Sequence, residues 1–179
     1  MRSFSKSAFL IFCLFFSVEG FSQENIPDSS KTKIIVAAKE IISAAGNCAL
    51  ITLDDKGLPN VRTMDPFVPE KNFTIWLGTN SKSRKIDQIR NNPEVALYYF
   101  DKDASAYLTI HGTAKISNDK KQKKKYWKDK WEAFYPNYPE GYSLIKVTPQ
   151  WIEVISERHK IFGDSITWKA PVLHFEGER

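Results

Sequence analysis

Apolar residues recur at spacings of three and four across residues 32–46 (TKIIVAAKEIISAAG). Ile34, Ile35, Ala38, Ile41, Ile42 and Ala45 fall on one face, and Gly46 stops the run. This predicts an amphipathic helix. The period then shortens. CALITLD, VRTMD and FTIWLG are brief β-rich runs separated by the turn DDKGLPN and a loop over 66–71, and they predict consecutive antiparallel strands. Residues 79–93 (TNSKSRKIDQIRNNP) predict a short helix capped by Ser83, with Ile86 and Ile89 on one face and Pro93 closing it. Two more strands follow in 94–100 (EVALYYF) and 106–116 (AYLTIHGTAKI), the second broken by Gly112, where a bulge or bend is expected. A lysine-rich helix is predicted over 118–134, with Tyr126, Trp127, Trp131 and Phe134 as its aromatic face. A Pro/Tyr-rich loop then leads to a final strand over 143–156, interrupted near Pro149. The segment from Arg158 onward has no clear period.

About six strands joined by short turns, with helices between them, favour a closed antiparallel barrel over an alternating parallel sheet. Of the 179 residues, 42% are hydrophobic and 26% charged, which excludes wholesale disorder and collagen-like architectures.

The first 22 residues alter the charge and cysteine arithmetic. Arg2 and Lys6 precede the apolar run 8–18 (AFLIFCLFFSV), and the small residues Gly20 and Ser22 follow. This is the pattern of a secretory signal peptide, with a core about half the ~20 residues of a membrane span. Residues 23–30 (QENIPDSS) then form a flexible linker, and 31–179 a single domain. Cleavage after Ser22 removes Arg2, Lys6 and Glu19, a net +1 of the formal +5, so the mature chain carries +4. It also removes Cys13 and leaves Cys48 alone, with no internal disulfide possible. Cys48 lies in an apolar run and is expected to be a buried structural residue. The chain is thus expected to be exported, periplasmic or secreted, without stable membrane association after cleavage.

The densest chemistry lies directly after the strand FTIWLG. Thr79, Asn80, Ser81, Lys82, Ser83, Arg84 and Lys85 gather hydroxyls, two ammoniums and a guanidinium at a predicted helix start. A helix N-terminus attracts anions through its unpaired N–H donors and its dipole, and basic residues there oppose that dipole unless an anion is bound. Phosphate binding and a solvated helix start are both open on this pattern. Arg62, on the same strand face as Met64, is open to three readings: a surface residue, a structural ion pair or a second phosphate clamp. The lysine run from Lys115 to Lys130 reads as a solvated helix face rather than a nucleic-acid patch. His111, His159 and His174 lack metal-ligand spacing, and the common hydrolase and nucleotidase signatures do not occur.

Arg62-x-Met64, then T-N-x-x-S-R-K over 79–85, Ile89 and Asn92-Pro93 before a strand resemble the pyridoxamine 5'-phosphate oxidase-like flavoproteins, especially the short general-stress-protein 26 type, from about Lys33 to Glu153. The resemblance implies a mainly β fold with flanking helices, a six-stranded antiparallel split β-barrel, and a homodimer with FMN at the subunit interface. By position, Arg62, Ser83, Arg84 and Lys85 would hold the FMN phosphate, while Thr63, Met64, Thr79 and Asn80 would lie along the flavin. The flavin would act on an unidentified small-molecule substrate; a non-catalytic flavin- or haem-binding module is the alternative. Four features depart from the authentic oxidases. Phe67 stands where they carry a substrate-binding lysine and Tyr107 where they carry a glutamine; Val154 and Ile155 follow the P-x-x-x-E pattern of 149–153 where they carry a tryptophan; and Arg158 and His159 lie near, but out of register with, a substrate-binding Arg and His.

Overall fold

The computed structural model describes residues 28–175. The predicted signal peptide and most of the linker lie outside these residues. The chain runs α1 (Asp28–Ala45), β1 (Cys48–Leu53), β2 (Pro59–Met64), β3 (Ile75–Asn80), α2 (Arg84–Asn91), β4 (Glu94–Asp101), β5 (Ala106–Ser117), α3 (Lys120–Lys125), a 3₁₀ turn (Asp129–Trp131), β6 (Tyr142–Ile155) and β7 (Val172–His174). Helix α1 begins inside the predicted linker, at Asp28. It buries Ile34, Ala37, Ala38, Ile41 and Ile42 and is followed by Gly46, whose φ of 67° is the left-handed conformation that glycine supplies at a helix end.

All paired strands are antiparallel and form one seven-stranded sheet in the order β2-β1-β4-β5-β6-β3, with β7 added beside β6. The sheet is not closed, and it has seven strands where six were expected. Its ends, β2 and β3, approach each other only through an isolated bridge, Pro66 to Leu77, backed by Phe67 N–H donating to the Trp76 carbonyl at 2.9 Å. Pro66 has no N–H to continue a ladder and the chain turns away.

Alternation along the strands sets the core. Leu50, Leu97, Tyr99, Leu108, Ile110, Ile152 and Val154 point inward and pack beneath α1. Cys48 is part of this core at 3% exposure, and burial pushes its thiol up to about 11. An acid with a raised folded pKa stays neutral where its unfolded form ionises. At pH 8 a thiol reagent should therefore leave native Cys48 unmodified over hours and label it fully in denaturant. Rapid native labelling would mean that this end of the sheet opens.

The predicted helix over 118–134 is two separate pieces. Helix α3 has only six residues and stops where Tyr126 turns out at φ −104°, ψ 62°. Lys120 and Lys124, and Lys121 and Lys125, are like charges four apart, which weakens the helix. The aromatic residues gain more from the sheet. Tyr126 stacks on Trp76 at 4.7 Å, and Trp131 packs with Tyr142, making a second cluster over β3 and β6. Strand β6 runs unbroken past Pro149. The irregularity is a register shift at His111/Gly112, where His111 faces Trp151 and Gly112 faces Pro149, leaving Gln150 as the extra residue.

Candidate functional site

Arg62 lies on the edge strand β2, and its guanidinium is held between β1 and α2. Nη1 donates to Thr52 Oγ1 at 2.6 Å and Nη2 to Gln88 Oε1 at 2.9 Å, while the Thr52 hydroxyl donates to the same Gln88 oxygen at 2.7 Å. Lys85 Nζ donates to Thr79 Oγ1 at 3.0 Å and to Ser83 Oγ at 2.6 Å. Ser83 is the N-cap of α2, as the sequence predicts, but its side chain makes no cap bond. Its oxygen serves Lys85, so the first-turn N–H groups of α2 lack a side-chain acceptor from the cap.

Every partner of Arg62 and Lys85 named above is neutral. Among the described residues, none of Arg62, Arg84 and Lys85 makes an ion pair. Burial pulls Lys85 below its ordinary pKa, and the charges of Arg62 and Arg84 add to the effect. Burial and then Arg84 do the same to Arg62. Like charges gathered at a helix N-terminus without a counter-ion raise each other's energy, and a bound dianion adds an attraction to each cation that offsets this repulsion.

Beside this cluster is a cleft of about 550 Å³, within the roughly 300–1,000 Å³ range of small-molecule sites. It is lined by Thr63, Met64, Gly78 and Thr79 from the sheet and its edges, by Lys85 from α2, and by Asp65, Lys130, Trp131, Phe134 and Tyr135. Gly78 is required here by space. A Cβ would meet Trp131 Cζ3 at 2.4 Å and the Tyr142 ring at 2.7 Å.

Of the residues singled out in the sequence, Thr63, Met64, Thr79 and Lys85 line the cleft, and Arg62, Ser83 and Arg84 adjoin Lys85. Asn80 is exposed, and its side-chain oxygen accepts from the Lys82 N–H at 2.8 Å to shape the turn into α2. Sequence reasoning missed Thr52 and Gln88, which orient Arg62. It also missed Asp65 and the Lys130, Trp131, Phe134 and Tyr135 part of the lining, reading those aromatics only as buried helix residues. Gln88 lies one turn after Arg84 on α2, the one local hint of its role.

The departures have structural roles. Phe67 packs edge-on against Tyr126 at 5.1 Å and Trp131 at 5.4 Å, beneath Lys128 Nζ, which lies 4.9 Å from its ring centroid. Tyr107 neighbours Tyr98 on the outer sheet face at 5.9 Å. Arg158 and His159 both meet Glu40 on α1, at 3.6 and 2.7 Å, and the His159 hydrogen bond is the main cause of the lowered Glu40 pKa. His111 stacks on Trp151 at 3.6 Å, and burial lowers its pKa. Among the described residues no cluster of His, Cys, Asp and Glu is arranged to hold a metal ion, and no helix is long and apolar enough to cross a membrane.

Comparison with known proteins gives a consistent picture. Residues 34–164 match the family described as pyridoxamine 5'-phosphate oxidase like. General stress protein 26 of Bacillus subtilis is 28% identical over 109 residues, covering 59% of this chain and 76% of its own. A Clostridium acetobutylicum protein related to general stress protein 26 superposes with a TM-score of 0.66 at 22% identity, over 79% of this chain and 94% of the other. A pyridoxamine 5'-phosphate oxidase-related, FMN-binding protein of Nostoc punctiforme shares the fold at a TM-score of 0.57 and 14% identity, over 86% and 99% of the two chains.

Proposed function

The chain belongs to the pyridoxamine 5'-phosphate oxidase like family, and from that premise we propose that it is an exported FMN-dependent oxidoreductase acting on a small molecule. The observation that carries this reading is the uncompensated cluster of Arg62, Arg84 and Lys85 at the N-terminus of α2, next to a cleft. The donor set suits a phosphate monoester: a guanidinium fork fixed by Thr52 and Gln88, an ammonium fixed by Thr79 and Ser83, and open helix N–H groups. Thr63, Met64 and Thr79 then flank a ring system on the sheet side of the cleft. FMN, when bound, supplies the electron-transfer chemistry, and the protein orients and insulates it.

The same reading includes a homodimer with the cofactor at its interface and a split barrel completed by the second copy. The outer face of β2, β1, β4, β5 and β6 supports it. Ile51 pairs with Val61 and Ala96, Ala49 with Tyr98, Phe100 with Tyr107, and Tyr107 with Ile155, a largely apolar face on which Val61 is 65% and Phe100 53% exposed. Large exposed apolar patches mark surfaces that are covered in the assembled state. The signal peptide predicted over 1–22 is the basis for placing the protein outside the cytoplasm.

The test is a visible absorption spectrum of the purified protein after adding FMN and desalting, with sedimentation to give its mass. Retained flavin bands on a dimer are expected. A folded dimer that retains no flavin would overturn the cofactor assignment. A second reading, a flavin-binding module that does not turn over, is favoured by Phe67 at the substrate-lysine position. Bound flavin that no reductant and oxygen will cycle would decide for it.

A further inference from the structure

We propose that residues 162–168 form a membrane-contact loop, whose Phe162, Ile166 and Trp168 enter the headgroup boundary of a phospholipid bilayer reversibly. This contact is independent of the flavin site. The loop lies between β6 and β7, in the segment whose sequence has no clear period, and hydrogen bonds fix its shape. Ile161 and Ala170 are buried at its two ends. Ser156 and Ile161 exchange backbone hydrogen bonds at 2.9 Å, and Arg158 and His159 meet Glu40 on α1, so the base is held. Asp164 closes the tip. Its N–H donates to the Lys169 carbonyl and its carbonyl accepts from the Trp168 N–H, both at 2.9 Å, while Oδ1 accepts from the N–H groups of Ile166 at 3.0 Å and Thr167 at 2.7 Å. Gly163 permits the closure, since a Cβ there would lie 2.7 Å from the Trp168 carbonyl oxygen.

What this scaffold displays is apolar. Phe162 is 59%, Ile166 87% and Trp168 85% exposed, and Trp168 is held at φ 59°, a left-handed conformation unfavourable for a bulky side chain. Single exposed hydrophobics are ordinary, whereas three within seven residues on a hydrogen-bonded loop make a contact surface. Its shape selects the occupant. Side chains this exposed project from the protein, and a fluid bilayer closes around a projection without a matching groove. Tryptophan suits that boundary, with an apolar ring to bury and an N–H to donate. The charges agree. Among the described residues Lys33, Lys160 and Lys169 make no ion pair, and the Asp164 carboxylate is engaged within the loop, which leaves Glu157 as the one free acid of 157–169. Lys33 Nζ also donates to the Lys160 carbonyl at 3.4 Å, so the start of α1 lies beside the loop. The apolar run 8–18 ends ten residues before Asp28 (28 minus 18), a tether of at most about 35 Å. While that run is in a membrane, the loop is held near the same surface. A contact of this size is weak and reversible, in keeping with release after cleavage.

The test uses protein lacking residues 1–22, all of which precede α1, so that the run 8–18 contributes nothing. It is mixed with vesicles of phosphatidylcholine alone, or of three parts phosphatidylcholine to one part phosphatidylglycerol, and sedimented to measure the bound fraction. Binding to both is expected, about threefold tighter on the anionic vesicles. Ile166→Ser with Trp168→Asn should weaken both by about tenfold or more. Asparagine accepts the left-handed backbone, and an unchanged melting temperature shows that the fold is kept. Lipids brominated on the acyl chain near the headgroup should quench part of the tryptophan fluorescence of the wild type and none in Trp168→Phe, which keeps a ring at the tip and stays bound. A wild-type protein that binds neither vesicle, a double variant that binds as well as wild type, or quenching that persists in Trp168→Phe would overturn the loop. A double variant that sediments without lipid at a lower mass than wild type would also overturn it, because a second copy then covers the tip.

Discussion

Gly112→Ala should lower the melting temperature by roughly 10 °C or prevent soluble expression. A Cβ at this position would lie 2.1 Å from the Thr148 carbonyl oxygen and 2.9 Å from the Pro149 Cα. Both obstacles are backbone, so no side chain can rotate aside. Overpacking a core costs about 1–3 kcal/mol, occasionally more, and each kcal/mol lowers the melting temperature of a chain this size by about 2–4 °C. The damage reaches the candidate site because the bulge at His111/Gly112 divides the long β5–β6 pair. On one side β6 pairs with β3 and carries Tyr142 beneath the cleft; on the other it pairs with β7. The control is Gly57→Asn, at a turn with φ of 76° and nothing within 4 Å of the added carbon. Asparagine tolerates that conformation, so this variant should melt within about 2 °C of wild type. The comparison is made by circular dichroism, and a Gly112→Ala protein melting as high as the control would show that the bulge relaxes freely.

The bulge was legible because a lone glycine interrupts an otherwise alternating strand, and the local pattern carries most of the fold in the same way. Six strands follow from alternation, and α1 from the spacing of Ile34, Ala38, Ile41 and Ile42. Where the sequence misleads, a long-range partner decides. Strand β7 is three residues long and exists because β6 has a free edge, with Trp151 facing His174. The predicted helix over 118–134 breaks because Trp76 and Tyr142 lie on strands far away in sequence and give Tyr126 and Trp131 a better place to pack. The open sheet, expected as a closed barrel, reflects the chain turning away at Pro66 after one bridge. The candidate site divides along the same line. Thr79, Ser83, Arg84 and Lys85 form one local segment, and their charges at a helix start announce an anion. Thr52 and Gln88 become meaningful only when β1 and α2 meet over Arg62, and that Thr63 and Met64 line the cleft was legible only through resemblance, since neither carries a charge signal of its own.

The largest functional effect should come from Arg84→Ala with Lys85→Ala, which is expected to weaken FMN at least a hundredfold and leave riboflavin within threefold. Charge-assisted hydrogen bonds contribute about 1.5–3 kcal/mol each. Arg84 is exposed and partly screened, whereas Lys85 is half-buried and already held by Thr79 and Ser83. A hundredfold corresponds to about 2.7 kcal/mol at 1.36 kcal/mol per tenfold, which one buried and one screened contact supply together. Riboflavin lacks the phosphate and separates this contribution from any damage to the ring pocket. The pH dependence has a definite sign. A phosphate monoester gains its second negative charge near pH 6, so FMN affinity should rise between pH 5 and 7.5 in the wild-type protein. Above that range it should fall earlier than an ordinary lysine would allow, because the Lys85 pKa is depressed in the free protein. The double variant should lose most of the rise, and riboflavin should show none. Fluorescence titration of both flavins at several pH values measures all of this. If FMN and riboflavin weaken equally, the cations support the fold and do not hold the phosphate. If FMN binds as before, the anion site lies elsewhere.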